Sequence, residues 1–260
     1  LKYNFTFFKI RNVQVVYVFL VMVGCGYLIE FVIYLLFNSY TYYPNILRHD
    51  AYYDSSAGAL ASNLLALPAA ATCIAGFGLN YVWIGAITLL IVGIEWLFVQ
   101  LDIYRHNWWH FSFTAIGLPI YFTFAKYSLA HLKRSSSKPM KWLILFLITG
   151  AVLGTLQIIP IMLFGSRTYN VDWFNNPSRD TNVFAAIYYL AISAFYVIVI
   201  RMLRCAHWLK MLIAAGSVYL CKELLVQIDI IHVHAWWDNL YFILVNAVVL
   251  LMMLNINRRM

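Results

Sequence analysis

Charge is scarce in this chain of 260 residues: Asp, Glu, Lys and Arg together make up 11% of it. A soluble domain carries about 25% charged residues, so an ordinary water-exposed surface over most of the fold is excluded. Cysteine is sparse as well. Cys25, Cys73, Cys205 and Cys221 lie in or beside apolar segments with no C-x-x-C spacing, which points to buried free thiols instead of disulfides or thiolate metal sites. No Gly-rich phosphate loop, nucleophile elbow or H-E-x-x-H pair occurs, so the common phosphoryl-transfer, acyl-hydrolase and zinc-protease signatures are missing. The front lacks a short apolar stretch closing on an A-x-A-like site, which argues against a cleavable signal peptide. The opening Leu1-Lys2-Tyr3 has no methionine, so a residue or short segment is expected to have been lost, or the numbering begins late.

What the chain has in abundance is apolar surface: 63% of its residues are hydrophobic and 18% aromatic. A soluble core of this length could not bury so much, and lipid must cover the rest. Apolar runs long enough to cross a bilayer, about 20 residues, occur at 13–37, 57–78, 80–103, 108–130, 141–165, 182–203, 206–230 and 236–256. The expected fold class is therefore all-α, a polytopic membrane helical bundle of about eight transmembrane helices.

The net charge of +8 would suggest nucleic acid in a soluble protein, but the basic residues cluster at span ends, so none is expected as a partner. Lys2, Lys9, Arg11, Lys126, Lys133, Arg134, Lys138, Lys141, Arg201, Arg204, Lys210, Arg258 and Arg259 fall on the side of the N-terminus. Only Arg48, Arg105, Arg167 and Arg179 fall opposite. The positive-inside rule places both termini in the cytoplasm of a multi-pass cell-membrane protein. Asp50, Asp54, Asp102, Asp172, Asp180, Asp229 and Asp238 sort to the outer ends.

Sliding the chain on itself by 128 positions superimposes Glu95 on Glu223, His106 on His234, Trp108 on Trp236 and Trp109 on Trp237. Gly26 falls on Gly154, and a one-residue slip aligns Val-Gln-Leu-Asp-Ile at 99–103 with Val-Gln-Ile-Asp-Ile at 226–230. Two tandem four-helix repeats are expected, at 1–131 and 142–260, joined by a basic cytoplasmic linker at 132–141 that touches anionic headgroups. An even number of spans per unit gives both copies one orientation, related by a pseudo-two-fold axis along the membrane normal.

An intramembrane carboxylate costs about 2.5 kcal/mol or more unless paired or protonated, so Glu95, Glu223 and Glu30 are candidate binding groups for a substrate or ion. Glu95 is expected about 13 Å deep. On a continuous helix, Asp102 and His106 would share its face, and Gln227 and His234 would share that of Glu223. The competing reading is a structural pair, with Lys222 or with tyrosine hydroxyls. His106, His110, His232 and His234 are weak candidates for a metal site, and no cofactor is expected. Trp108, Trp109, Trp236 and Trp237 read as an interfacial aromatic belt. The outer loop from Ser39 through Asp54 is a candidate lid or a segment lying flat on the membrane. Gly24, Gly26, Gly58 and the Gly150-x-x-x-Gly154 pair are expected to let helices approach closely, and Pro68, Pro119 and Pro160 to kink their spans.

Tyr42-Tyr43-Pro44, Gly93-Ile94-Glu95-Trp96 and Trp108-Trp109 resemble a family of small, functionally uncharacterised polytopic membrane proteins of endospore-forming Firmicutes. The likeness covers mainly residues 40–125, and the second half lacks the Tyr-Tyr-Pro and the Glu-Trp pair. It implies a doubled version of that four-span unit, in a cell or spore membrane, and carries no activity with it. The reading favoured by the residues is a transporter or channel-like protein, not an enzyme, in which Glu95 and Glu223 handle a proton, cation or small polar solute. The alternatives are a membrane subunit that binds a protein partner through its Trp-rich outer face, and a lipid-modifying enzyme using His106, His110, Asp102 and Glu95.

Overall fold

The structure, a computed structural model, describes residues 13–133 and 137–259. The basic residues Lys2, Lys9, Arg11 and Arg134 and the middle of the expected linker lie outside that range. The fold is all-α apart from four three-residue strands. In chain order, α1 runs Val13–Leu36, β1 Tyr40–Tyr42, α2 Ala51–Phe77, α3 Tyr81–Gln100, β2 Tyr104–His106, α4 Phe111–Lys133, α5 Lys138–Phe164, β3 Arg167–Tyr169, α6 Pro177–Met202, α7 His207–Gln227, β4 Ile231–Val233 and α8 Asp238–Arg259. Among the described residues, α1, α2, α3, α5, α6 and α8 are long and apolar enough to cross a membrane.

Capping chemistry explains where the helix ends depart from the apolar runs. The span expected at 57–78 begins at Ala51, because the Asp50 carboxylate accepts the amides of Tyr52 and Tyr53 at 2.8 and 2.9 Å. The span expected at 182–203 begins at Pro177, where Asn176 accepts the amide of Arg179 at 3.0 Å and proline suits the first helical turn. Hydropathy discounts these polar first turns. At the other ends, α3 and α7 stop at Gln100 and Gln227, each followed by an Asp in the left-handed region, Asp102 at φ 54° and Asp229 at φ 58°. A short Asp tolerates that conformation, and the chain turns back into a strand instead of continuing as helix.

The strands form two separate antiparallel ladders. Tyr40, Thr41 and Tyr42 pair with His106, Arg105 and Tyr104, and Arg167, Thr168 and Tyr169 pair with Val233, His232 and Ile231. The loop expected as a lid or a membrane-surface segment is thus partly a strand with Tyr40 buried. Each ladder is locked the same way. The Ser39 carbonyl accepts from Asn107, Trp108 and Trp109, and the Ser166 carbonyl from His234 and Ala235. Tyr43 donates its amide to Ile103 at 2.8 Å, and Asn170 to Ile230 at 2.9 Å.

Two aspartates near the strand ladders pin the loops. Asp54 accepts the amides of Asn45, Ile46 and Leu47 at 2.7–3.0 Å. Buried Asp180 accepts those of Val171, Asp172, Trp173 and Phe174 at 2.8–3.3 Å. Their sorting to one end of the helices therefore has a local cause as well as a topological one. Asp180→Ala strands these amides and is expected to cost about 3 kcal/mol, whereas Asn175→Ala at an exposed position leaves stability unchanged. Thermal denaturation of the two purified variants measures the difference.

The halves meet along α1 and α5, with α2 and α6 alongside. Gly24 makes this possible, since a Cβ there would overlap the Leu147 backbone carbonyl. Gly58 likewise leaves room for Tyr42, whose Cβ would lie 2.7 Å from an added methyl. Gly150 and Gly154, expected as a close-approach pair, have ordinary van der Waals room instead, because the tight crossing lies one turn away. Polar bridges cross the same seam. Tyr27 hydroxyl meets Thr155 hydroxyl at 2.7 Å, Ser178 donates to Asp50 at 2.5 Å, and the Asn182 amide donates to Ser56 at 3.1 Å.

Candidate functional site

A cavity of about 140 Å³ lies in that seam, lined by Glu30, Tyr34, Ser56 and Asn63 of the first half and by Asn182 and Tyr189 of the second, with apolar side chains between them. Glu30 is held by one oxygen only. Its Oε1 accepts from the Asn63 amide at 2.7 Å and, through a short contact, from the Tyr40 hydroxyl, while Oε2 is buried without a hydrogen-bond partner. Asn182, buried at 3% exposure, is similarly half-satisfied: its amide nitrogen bonds Ser56, and its Oδ1 has no partner.

The helices deform where these side chains sit. α1 becomes π-helical over Phe31–Leu36, directly after Glu30, and α2 over Ser62–Ala66, around Asn63. Pro68 gives a reason for the second, since its ring crowds the Leu64 carbonyl and offers no N–H to bond it. The wide turn ending α1 is held by Arg179 from the other half, which donates to the Leu35 carbonyl at 3.1 Å and the Leu36 carbonyl at 2.9 Å and lies 4.2 Å over the Phe174 ring. π-helical segments occur often at functional sites.

An aromatic box stands beside Glu30. Tyr40 stacks on Tyr34 at 5.4 Å and packs on Tyr104 at 5.1 Å, and Tyr42 lies 4.5 Å from Tyr104. Burial, reinforced by the Glu30 carboxylate, holds the Tyr40 phenol well above its ordinary titration range, so its proton stays available for donation to Glu30. Glu95 and His106 flank this box, joined at 2.8 Å.

Sequence reasoning brought Glu95 and His106 together by the wrong route. The helix ends at Gln100, so no continuous helical face carries Glu95, Asp102 and His106. The β1–β2 ladder returns His106 to Glu95, and Asp102 is exposed in the turn. Nor does the second half repeat the pair: His234 meets the Thr168 hydroxyl at 3.0 Å, Glu223 interacts with Tyr219, and Gln227 is exposed. The ladders register at an offset of 127, from Tyr40 to Arg167 and from His106 to Val233, one less than the spacing that matches residue letters. One residue is about 100° around a helix, and at the ladder offset position 95 falls on Lys222, not on Glu223. Neither Glu95 nor Glu223 lines the seam cavity.

Lys222 belongs to a second buried cluster. It donates to Asn239 through a short contact and lies 5.3 Å from the Phe242 ring. Arg167 lies 5.2 Å from the same ring and pairs with Asp238 at 2.8 Å, both side chains being fully buried. Lys222 interacts electrostatically with Arg167, Asp238 and Glu223, while the ion pair itself is between Arg167 and Asp238. No sequence signal marked this arrangement, because Arg167 and Asp238 read as outer-end charges.

Among the described residues no group of three His, Cys, Asp or Glu comes close enough to hold a metal. His106 sits in a strand and His110 beyond it, its ring tilted against Phe113 at 5.7 Å, so the helical spacing assumed for that pair is not present; His232 and His234 are likewise in and after β4. Trp108 donates to the Phe37 carbonyl at 2.7 Å and Trp109 to Thr114 at 2.9 Å, while Trp236 is 90% exposed and Trp237 packs on Tyr241 at 5.8 Å. Comparison with family models, curated proteins and solved structures finds no match.

Proposed function

We propose that this is an eight-span membrane protein that binds and passes a small cation or hydrogen-bond-donating solute at Glu30, in the cavity between two related halves. The carrying observation is the pair of buried, unpartnered oxygens, Glu30 Oε2 and Asn182 Oδ1, contributed by opposite halves to one cavity. A buried polar atom without a partner is costly, and a ligand that brings donors relieves that cost. The uneven distribution of Lys and Arg between the two ends of the helices supports the orientation, with both termini in the cytoplasm of a cell membrane. At 23 and 21 residues, α4 and α7 are about 30 Å or more in length and reach across a hydrocarbon core.

The duplication is supported by the equal locking of the two ladders and by the seam itself. Tyr27 and Thr155 are 128 positions apart, Asp50 and Ser178 128, and Ser56 and Asn182 126. Residues near a two-fold axis touch their own equivalents, so contacts at nearly the repeat spacing fit a pseudo-two-fold relation. The resemblance to the four-span family of endospore-forming Firmicutes belongs to the same proposal, as the source of one unit.

Glu30→Gln is expected to cut uptake of small monovalent cations and amines into proteoliposomes at least tenfold, with Glu95→Gln close to wild type. Uptake unchanged by Glu30→Gln, or no uptake of any such solute above protein-free vesicles, rejects the reading.

A further inference from the structure

Resting on that cation reading, the cavity wall narrows the solute. With Glu30 ionised, as a bound cation would hold it, both free groups, Glu30 Oε2 and Asn182 Oδ1, are acceptors, so the ligand must supply the donors. Among the described residues no Lys, Arg or His lines the cavity, which leaves the Glu30 carboxylate without a counter-charge there. A calcium ion takes about six to eight oxygens and magnesium demands near-ideal octahedral geometry; two free oxygens leave either ion short. The rest of the wall is mostly apolar, including Leu60, Ile158 and Leu190, with Tyr34 and Tyr189 among its lining residues. Such a surface rewards an apolar body.

At about 140 Å³ the space, which is not fully enclosed, is close to the roughly 150 Å³ engineered cavity that holds one benzene, so a ligand of about six heavy atoms fills it. We infer that the cavity takes a small organic ammonium ion, its –NH₃⁺ between Glu30 Oε2 and Asn182 Oδ1 and its short alkyl chain on the apolar wall. An inorganic cation would waste that wall, and a neutral alcohol would leave the carboxylate uncompensated.

Thermal denaturation of the full chain in lipid nanodiscs, titrated with n-butylammonium chloride, tests this against 1-butanol, rubidium chloride and calcium chloride. Butylammonium should raise the denaturation midpoint saturably, with no shift from the other three. Glu30→Gln should raise the half-saturating concentration at least tenfold, and Asn182→Ala several-fold. Should Glu30→Gln fail to fold, Glu30→Asp and Asn182→Ala provide the comparison, each with weakened but measurable protection. Equal protection by 1-butanol, or protection by butylammonium that none of these variants weakens, overturns the ammonium assignment. Glu30-dependent protection by rubidium or calcium, without butylammonium, also overturns it but keeps the cation reading. Protection by none of the four removes both.

Discussion

Asp238→Asn is expected to destabilise the protein by about 3–5 kcal/mol, the usual cost of leaving buried charge without its partner. The loss should exceed that of Arg167→Met. Asp238 pairs with buried Arg167 at 2.8 Å and also interacts with buried Lys222, so its removal leaves the Arg167 guanidinium without its partner and Lys222 with Glu223 alone. Removing Arg167 instead leaves Lys222 and Asp238 opposite in charge and still close. The asparagine retains the shape and much of the hydrogen-bonding capacity of the aspartate, so the comparison isolates charge. Unfolding titrated with dodecyl sulfate and followed by circular dichroism gives the order. A larger effect from Arg167→Met would show that the two cations are not sharing that carboxylate.

Gly24→Ala should be nearly as damaging, by about 3 kcal/mol, at the upper end of what one added methyl costs in a packed core. The new Cβ would overlap the Leu147 carbonyl, and neither backbone can yield without parting α1 from α5. Alanine ordinarily favours a helix over glycine by about 1 kcal/mol, so the sign of the effect is itself diagnostic. Gly150→Ala, with its nearest neighbour Leu190 at 3.8 Å, is the matched control and should be neutral or mildly stabilising. Equal behaviour of the two variants in the same titration would contradict the crossing described for Gly24.

How much of this was readable without coordinates depends on the kind of signal. Helix positions were, because twenty apolar residues in a row have few other uses. The ladders were not: Tyr40–Tyr42 and Arg167–Tyr169 are three residues long, too short for alternation to register. The sequence offers two offsets, 128 from matching letters and one less from Val-Gln-Leu-Asp-Ile at 99–103, and nothing in it displays the backbone hydrogen bonds that put the two ladders 127 positions apart. Glu30 was legible as an intramembrane acid but not as the cavity residue. Its setting depends on two π-helical segments and on Asn63 and Asn182, polar residues whose partners lie 33 and 126 positions away. Arg179 was visible as an outer charge, and its grip on the Leu35 and Leu36 carbonyls was not.

Each ladder joins strands of its own half, Tyr40–Tyr42 to Tyr104–His106 and Arg167–Tyr169 to Ile231–Val233, and neither pairing reaches across. During synthesis the first can close before α5 has left the ribosome, so every long-range strand contact is complete within its half. Helix packing of α1 on α5, not strand pairing, joins the halves across their tether. Two separately translated pieces, 13–133 and 137–259, would lose that tether but no strand pairing.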